Sequence, residues 1–165
     1  MKKLWYILAS MRPRQWTKNF VLFAGIVFSM HLFDASLLLR SLYGFILFSL
    51  LSGALYIIND VFDRTKDREH SSKSGRPIAA GLLSPSEALP VAVALLAGLL
   101  ALSLLFGTDF FMVCIAFAAV NLAYSFFLRG VVILDVFSIS FSFLLRAVGG
   151  VAVLKPSVPD IEISP

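Results

Sequence analysis

What most constrains this chain is a series of apolar stretches, each near the length needed to cross a bilayer: Trp16 to Phe33, Leu38 to Ile58, Glu87 to Phe106, Asp109 to Leu128 and Val131 to Leu154. A hydrocarbon core takes roughly 17 to 25 helical residues to span. The first stretch is the shortest and is interrupted by His31. The runs are continuously apolar instead of alternating every second residue, so they call for helices and exclude a barrel. With 59% hydrophobic and 15% charged residues, a soluble domain is the wrong class. The expected architecture is an all-α, polytopic transmembrane bundle of about five spans, forming one integral membrane domain over residues 1–165.

Basic residues flanking the spans predict orientation, because Lys and Arg are retained on the cytoplasmic side. Lys2, Lys3, Arg12, Arg14, Lys18, Arg64, Lys66, Arg68, Lys73, Arg76 and Arg129 precede span one, stand at its start, or lie between spans two and three or four and five. Arg40 and Lys155 fall on the opposite side, and Arg146 is inside a span. The N-terminus is therefore expected in the cytoplasm, in a plasma membrane of bacterial type. Met1 to Ser10 has no small-x-small cleavage site, and reads as an interfacial helix with Trp5, Tyr6 and Trp16 near headgroup level. The one cysteine, Cys114, excludes an intrachain disulfide and reads as packing.

Against this apolar background stands Asn59-Asp60-Val61-Phe62-Asp63-Arg64-Thr65-Lys66-Asp67. On a helix, positions 59, 60, 63 and 67 fall within an arc of about 100°. One face then carries an amide and three carboxylates, which repel one another unless a cation sits among them. Oxygen donors at this spacing suit Mg²⁺, which keeps several waters and is typically shared with substrate phosphates. The alternative is a solvated loop in which Asp63, Asp67 and Glu69 pair with Arg64, Lys66 and Arg68. Position favours function, because Asn59 and Asp60 directly follow Leu55-Tyr56-Ile57-Ile58 at a span end.

Lys73 and Arg76 follow in Ser71-Ser72-Lys73-Ser74-Gly75-Arg76-Pro77-Ile78-Ala79-Ala80-Gly81. Basic side chains beside a metal suit a phosphate shared between them; the same residues also serve as ordinary membrane anchors. Tyr124 to Arg129, Asp135 and Arg146 form a third group. Asp135 and Arg146 return to within about 20° on a helix but stand roughly 16 Å apart along it. Arg146, near mid-span, needs a buried partner or water. Met11-Arg12-Pro13-Arg14-Gln15-Trp16-Thr17-Lys18-Asn19 reads as headgroup anchoring, or as a grip on a polyprenyl phosphate.

The sequence Asn59-Asp60-x-x-Asp63-x-x-x-Asp67 followed by Gly75-Arg76-Pro77-Ile78-Ala79-Ala80-Gly81, in the loop after a second span, resembles the first signature of the UbiA superfamily of intramembrane prenyltransferases. Tyr124 to Arg129 is similar to the segment after that superfamily's fourth span. Arg12 to Asn19 and Asp67-Arg68-Glu69-His70 most resemble the decaprenyl-phosphate phosphoribosyltransferase branch. The resemblance implies a nine-helix bundle with a central cavity. In it Asn59, Asp63 and Asp67 hold Mg²⁺ against a diphosphate, and Asp60, Asp63 and Asp67 carry the chemistry. Lys73, Arg76 and Arg129 would contact phosphate, with Lys18, Tyr124, Asp135 and Arg146 as further cavity residues.

The implied partners are a diphosphate-containing donor and a polyprenyl lipid within the membrane, with no nucleic acid. The donor is phosphoribosyl diphosphate in one branch and a prenyl diphosphate, with an aromatic acceptor, in typical members. The superfamily's second acidic motif lies around its sixth helix, beyond the last residue here. The expectation is therefore an N-terminal portion that does not turn over by itself. Two readings compete: a small transporter, which accounts for the intramembrane charges but not for the carboxylates, and a membrane scaffold.

Overall fold

The computed structural model describes residues 2–128 and 132–158. Helix α1 spans Lys2–Ser10, a 3-10 segment Pro13–Phe23, α2 Ala24–Phe28, α3 Ala35–Phe62, α4 Arg64–Glu69, α5 Pro85–Ser103, α6 Thr108–Ala123 and α7 Val132–Ala152. No strand occurs among the described residues. Among the described residues four helices are long and apolar enough to cross a membrane: Ala35–Phe62, Pro85–Phe106, Thr108–Phe126 and Ile133–Ala152. They reproduce the last four expected spans to within a few residues.

The first expected span is different. It is an 11-residue 3-10 segment followed by the 5-residue α2, not one regular α-helix. A 3-10 helix rises about 2.0 Å per residue against 1.5 Å for an α-helix, so the pair still reaches roughly 30 Å. A Cβ on Gly25 of α2 would come within 2.4 Å of the Gly150 backbone, and one on Gly150 within 1.9 Å of the Leu22 carbonyl oxygen. Only glycines allow α2 and α7 to cross this closely.

Starts and stops follow local chemistry. Asp34 caps α3, accepting from the backbone N–H groups of Ser36 at 2.9 Å and Leu37 at 3.1 Å. Pro85 opens α5, where a missing N–H costs nothing, and the Glu87 carboxylate accepts from the Ser84 N–H at 3.3 Å. At the far ends, Arg40 of α3 donates to the carbonyls of Val153 and Phe106. It thereby satisfies acceptors that two neighbouring segments leave open.

Helix α3 is the hub, packing against α5, α6 and the 3-10 segment, while α7 packs against α6, the 3-10 segment and α2. The main core gathers Leu22, Ile26, Phe48, Phe110, Phe117 and Val153; Cys114 is buried in it as a free thiol. A second cluster of Met11, Ile57, Ile58, Ile78 and Leu83 lies under the loop after α4. Ile78 and Leu83 are fully buried, each contributing about 1.5–3 kcal/mol by leaving water, and so pin the loop that carries Lys73 and Arg76. Gly81 in that loop has φ +77°, which favours glycine. Gly75 has open space around it and no unusual φ, so no close approach requires it. On α1, Leu4, Trp5 and Leu8 face outward while Tyr6 and Ile7 pack inward. An interfacial helix needs these two sides. Trp16 is only partly exposed, and its indole donates to the Met11 carbonyl at 3.2 Å.

Candidate active site

The acidic segment is jointed. Helix α3 ends at Phe62 and α4 begins at Arg64, with Asp63 between them at φ −86°, ψ 1°. Helical hydrogen bonding nevertheless runs through the joint, from the Asp63 N–H to Asn59 at 2.9 Å and from the Asp67 N–H to Asp63 at 2.8 Å. The shared face therefore survives: one guanidinium nitrogen of Arg76 donates to Asp60 at 3.2 Å and to Asp67 at 2.6 Å. Arg12 donates to the same Asp60 oxygen.

These pairs change the electrostatic expectation. Asp60 and Asp67 are 2% and 3% exposed, and two buried carboxylates are tolerable because Arg12 and Arg76 neutralise them. The cation that the sequence called for is, in part, supplied by the chain. Arg12 also lies 4.9 Å from the Tyr56 ring centroid. It is thus drawn into the site and is not a headgroup anchor. Its backbone sits at φ 52°, ψ 64° immediately before Pro13, a conformation that costs of order 1–3 kcal/mol for a non-glycine residue.

In front of this network lies a cleft of two adjoining cavities. The outer one, about 230 Å³, is lined by Arg12, Tyr56, Asn59, Lys73, Arg76 and Tyr124, among others. The inner one, about 120 Å³, has Lys18, Tyr56, Asn121, Tyr124, Ser142 and Arg146 in its wall. Tyr56, Asn121 and Tyr124 border both. Among the described residues no carboxylate lines either cavity, so Arg12, Lys18, Lys73, Arg76 and Arg146 make the cleft an anion site. Tyr124 opens a π-helical turn, Tyr124–Leu128, an irregularity frequent at functional sites.

Arg146 is 5% exposed and has no carboxylate partner among the described residues. Its Nε donates to Asn19 Oδ1 at 2.8 Å and one terminal nitrogen to the Ser142 carbonyl at 2.8 Å. The rings of Phe117 and Phe143 lie 4.9 and 5.1 Å from its guanidinium carbon. Asn19 is held in turn by donating to Ser49 Oγ at 3.0 Å.

The expected residues thus divide. Asn59, Lys73, Arg76 and Tyr124 border the outer cavity, and Lys18, Tyr124 and Arg146 the inner one. Asp60, Asp63 and Asp67 stand behind the wall, in contact with the arginines or, for Asp63, at the helix joint. Asp135 lines neither cavity; its Oδ1 is buried without a hydrogen-bond partner. Arg129 lies outside the described residues. Tyr56, Asn121 and the anchoring role of Asn19 were not read from the sequence. A lone amide within an apolar span, as at Asn121, was the available signal.

As for Mg²⁺, no three of the described His, Cys, Asp or Glu side chains are gathered as a cage, and Arg76 pairs with both Asp60 and Asp67. The donor chemistry fits the ion all the same. Asn59 offers a hard oxygen in the wall of the cationic outer cavity and Asp63 and Asp67 offer others behind it, and Mg²⁺ commonly completes its shell with substrate phosphate and water.

A sequence model of the UbiA prenyltransferase family matches residues 19–164. Decaprenyl-phosphate phosphoribosyltransferase of Mycobacterium tuberculosis is 35% identical over 155 residues, covering 91% of this chain and 51% of that protein. A solved digeranylgeranylglyceryl phosphate synthase superposes with a TM-score of 0.79 at 26% identity, over 92% of this chain and 54% of its own. A UbiA homologue from Archaeoglobus fulgidus, solved with GPP and Mg²⁺, does so with a TM-score of 0.71 at 25% identity, over 90% and 53%. The chain spans about half the length of the phosphoribosyltransferases it matches.

Proposed function

Because the chain belongs to the UbiA prenyltransferase family, we propose that its cleft binds the diphosphate of a donor in an Mg²⁺-dependent intramembrane transferase. The preferred reaction moves 5-phosphoribosyl from phosphoribosyl diphosphate to a polyprenyl phosphate. The observation that carries this reading is a cationic cavity lined by Arg12, Lys73 and Arg76 directly in front of the Asn59–Asp67 turn. Similarity to decaprenyl-phosphate phosphoribosyltransferase along 91% of the chain favours phosphoribosyl over prenyl transfer.

In this reading the Arg12, Lys73 and Arg76 side chains take diphosphate oxygens, and Asp60 is a positioning residue that aims the two guanidiniums. Asn59, Asp63 and Asp67 would hold Mg²⁺, which supplies Lewis-acid stabilisation of the departing diphosphate. The acceptor phosphate oxygen forms the new bond to the anomeric carbon as the bond from that carbon to the diphosphate breaks, its electron pair leaving with the diphosphate. Fixed cations lower the barrier because they face the charge that develops on the leaving group. The acidic turn would face the cytoplasm, where a water-soluble donor is available. A second reading, prenyl transfer to an aromatic acceptor, is favoured by the GPP-bound homologue.

Equilibrium binding to the chain in nanodiscs tests the choice. Labelled phosphoribosyl diphosphate is expected to bind in Mg²⁺, to be displaced by pyrophosphate, and to bind at least about tenfold more weakly to the Asp63→Asn variant. Preference for geranyl diphosphate over phosphoribosyl diphosphate would overturn the phosphoribosyl reading.

A further inference from the structure

We infer that Lys18 and Arg146 form a second anion subsite, deeper in the bundle than the diphosphate cavity, that takes the phosphate monoester headgroup of the polyprenyl acceptor. The inference rests on the phosphoribosyl reading and assigns its second substrate a place.

Charge is the first argument. Arg146 is almost wholly buried, and leaving a buried guanidinium without an anion is costly. Asn19, the Ser142 carbonyl and two aromatic rings occupy its Nε, one terminal nitrogen and its faces. The other terminal nitrogen makes no hydrogen bond among the described residues and is not among their buried, unsatisfied atoms. It therefore remains available to the cavity that Arg146 lines. Lys18, on the 3-10 segment, lines the same cavity and has no carboxylate partner among the described residues. A phosphate monoester carries close to two negative charges, which matches two cations. An aromatic carboxylate carries one.

Size and polarity agree. At about 120 Å³ the inner cavity has half the volume of the outer one, suiting one phosphorus centre where the outer cavity suits two. Asn121 and Ser142 add an amide and a hydroxyl. Ile139 and Phe143 also line the wall and are 55% and 38% exposed, an apolar surface on which the first isoprene units would lie. Tyr56 and Tyr124 border both cavities, so the two anions would meet across them. A soluble donor enters from the loop side, and a lipid acceptor reaches the deeper cavity from the bilayer.

The test is binding of farnesyl phosphate, farnesol, 4-hydroxybenzoate and phosphoribosyl diphosphate to the chain in nanodiscs. Lys18→Gln, at an exposed position on the 3-10 segment, is expected to weaken farnesyl phosphate about tenfold, the loss of one charged contact, with phosphoribosyl diphosphate unchanged within about twofold. Arg146→Gln should do the same, and retained donor binding reports that it folds. The tenfold loss supports the subsite even in a chain that binds no phosphoribosyl diphosphate, a result that would overturn the phosphoribosyl reading alone. Farnesol binding as well as farnesyl phosphate, equal loss of both phosphorylated ligands, or 4-hydroxybenzoate binding in preference would each overturn the subsite.

Discussion

Arg146 Nε donates to Asn19 Oδ1 at 2.8 Å, joining side chains 127 residues apart in the chain. The bond ties α7 to the 3-10 segment in the interior, and Asn19 passes the tie to α3 through Ser49. One amide thus fixes the buried cation of the inner cavity from both sides.

Asn19→Ala should destabilise the protein by about 1–3 kcal/mol, because a buried charged donor loses its acceptor and nothing replaces it. Thermal unfolding in detergent micelles measures the loss. An unchanged midpoint would show that Arg146 finds another acceptor at no cost.

Asp60→Asn removes the charge shared by Arg12 and Arg76 while keeping the size of the side chain. Breaking a buried ion pair from one side typically costs about 3–5 kcal/mol, so a lower thermal midpoint is expected whether or not Mg²⁺ is present. If the midpoint falls only while Mg²⁺ is present and matches the parent protein after chelation, Asp60 is a metal ligand and not a partner of the arginines.

Gly150→Ala places a methyl 1.9 Å from the Leu22 carbonyl oxygen. Backbone must move, at a cost of about 1–3 kcal/mol or more. Gly98→Ala is the contrasting case, since its Cβ would meet nothing within 4 Å, and in a helix interior the change should stabilise by up to about 1 kcal/mol. Paired denaturation curves in micelles compare the two; similar effects would count against the close crossing of the 3-10 segment and α7.

Asp34, outside the membrane spans, has its carboxyl held below the ordinary value, first by the Ser36 hydroxyl and then by the Leu37 N–H. A carboxylate with a lowered folded value stabilises above its unfolded value and loses that contribution as the pH falls through the folded one. Acid should therefore loosen the first turn of α3 at a pH below the ordinary carboxylate range. Amide exchange at Ser36 and Leu37 reports this, and Asp34→Asn should flatten the dependence.

The spans were legible because length and continuous hydrophobicity are local properties, and the edges of α3, α5, α6 and α7 needed only caps and prolines within a turn. The first span was read as a plain helix because hydropathy does not register whether a turn is α or 3-10. Gly25 and Gly150 gave no sign of each other, since a close crossing depends on two helices meeting. The acidic face was legible from helical spacing. That Arg12 and Arg76 would neutralise it was not, because eleven basic residues precede the later spans or sit in their loops and positive-inside anchoring accounts for any of them.

The sequence by itself determined the helical membrane class, the acidic turn and the family signature, all set by residues within a few turns of one another. The tertiary structure decided which cations meet which anions. Asp60 and Asp67 met Arg12 and Arg76, and Lys18 and Arg146 came to one cavity with no carboxylate partner among the described residues. A hydrogen-bonded ion pair needs its atoms within about 4 Å of each other, so the choice of partner belongs to packing between distant segments and not to spacing along any one of them.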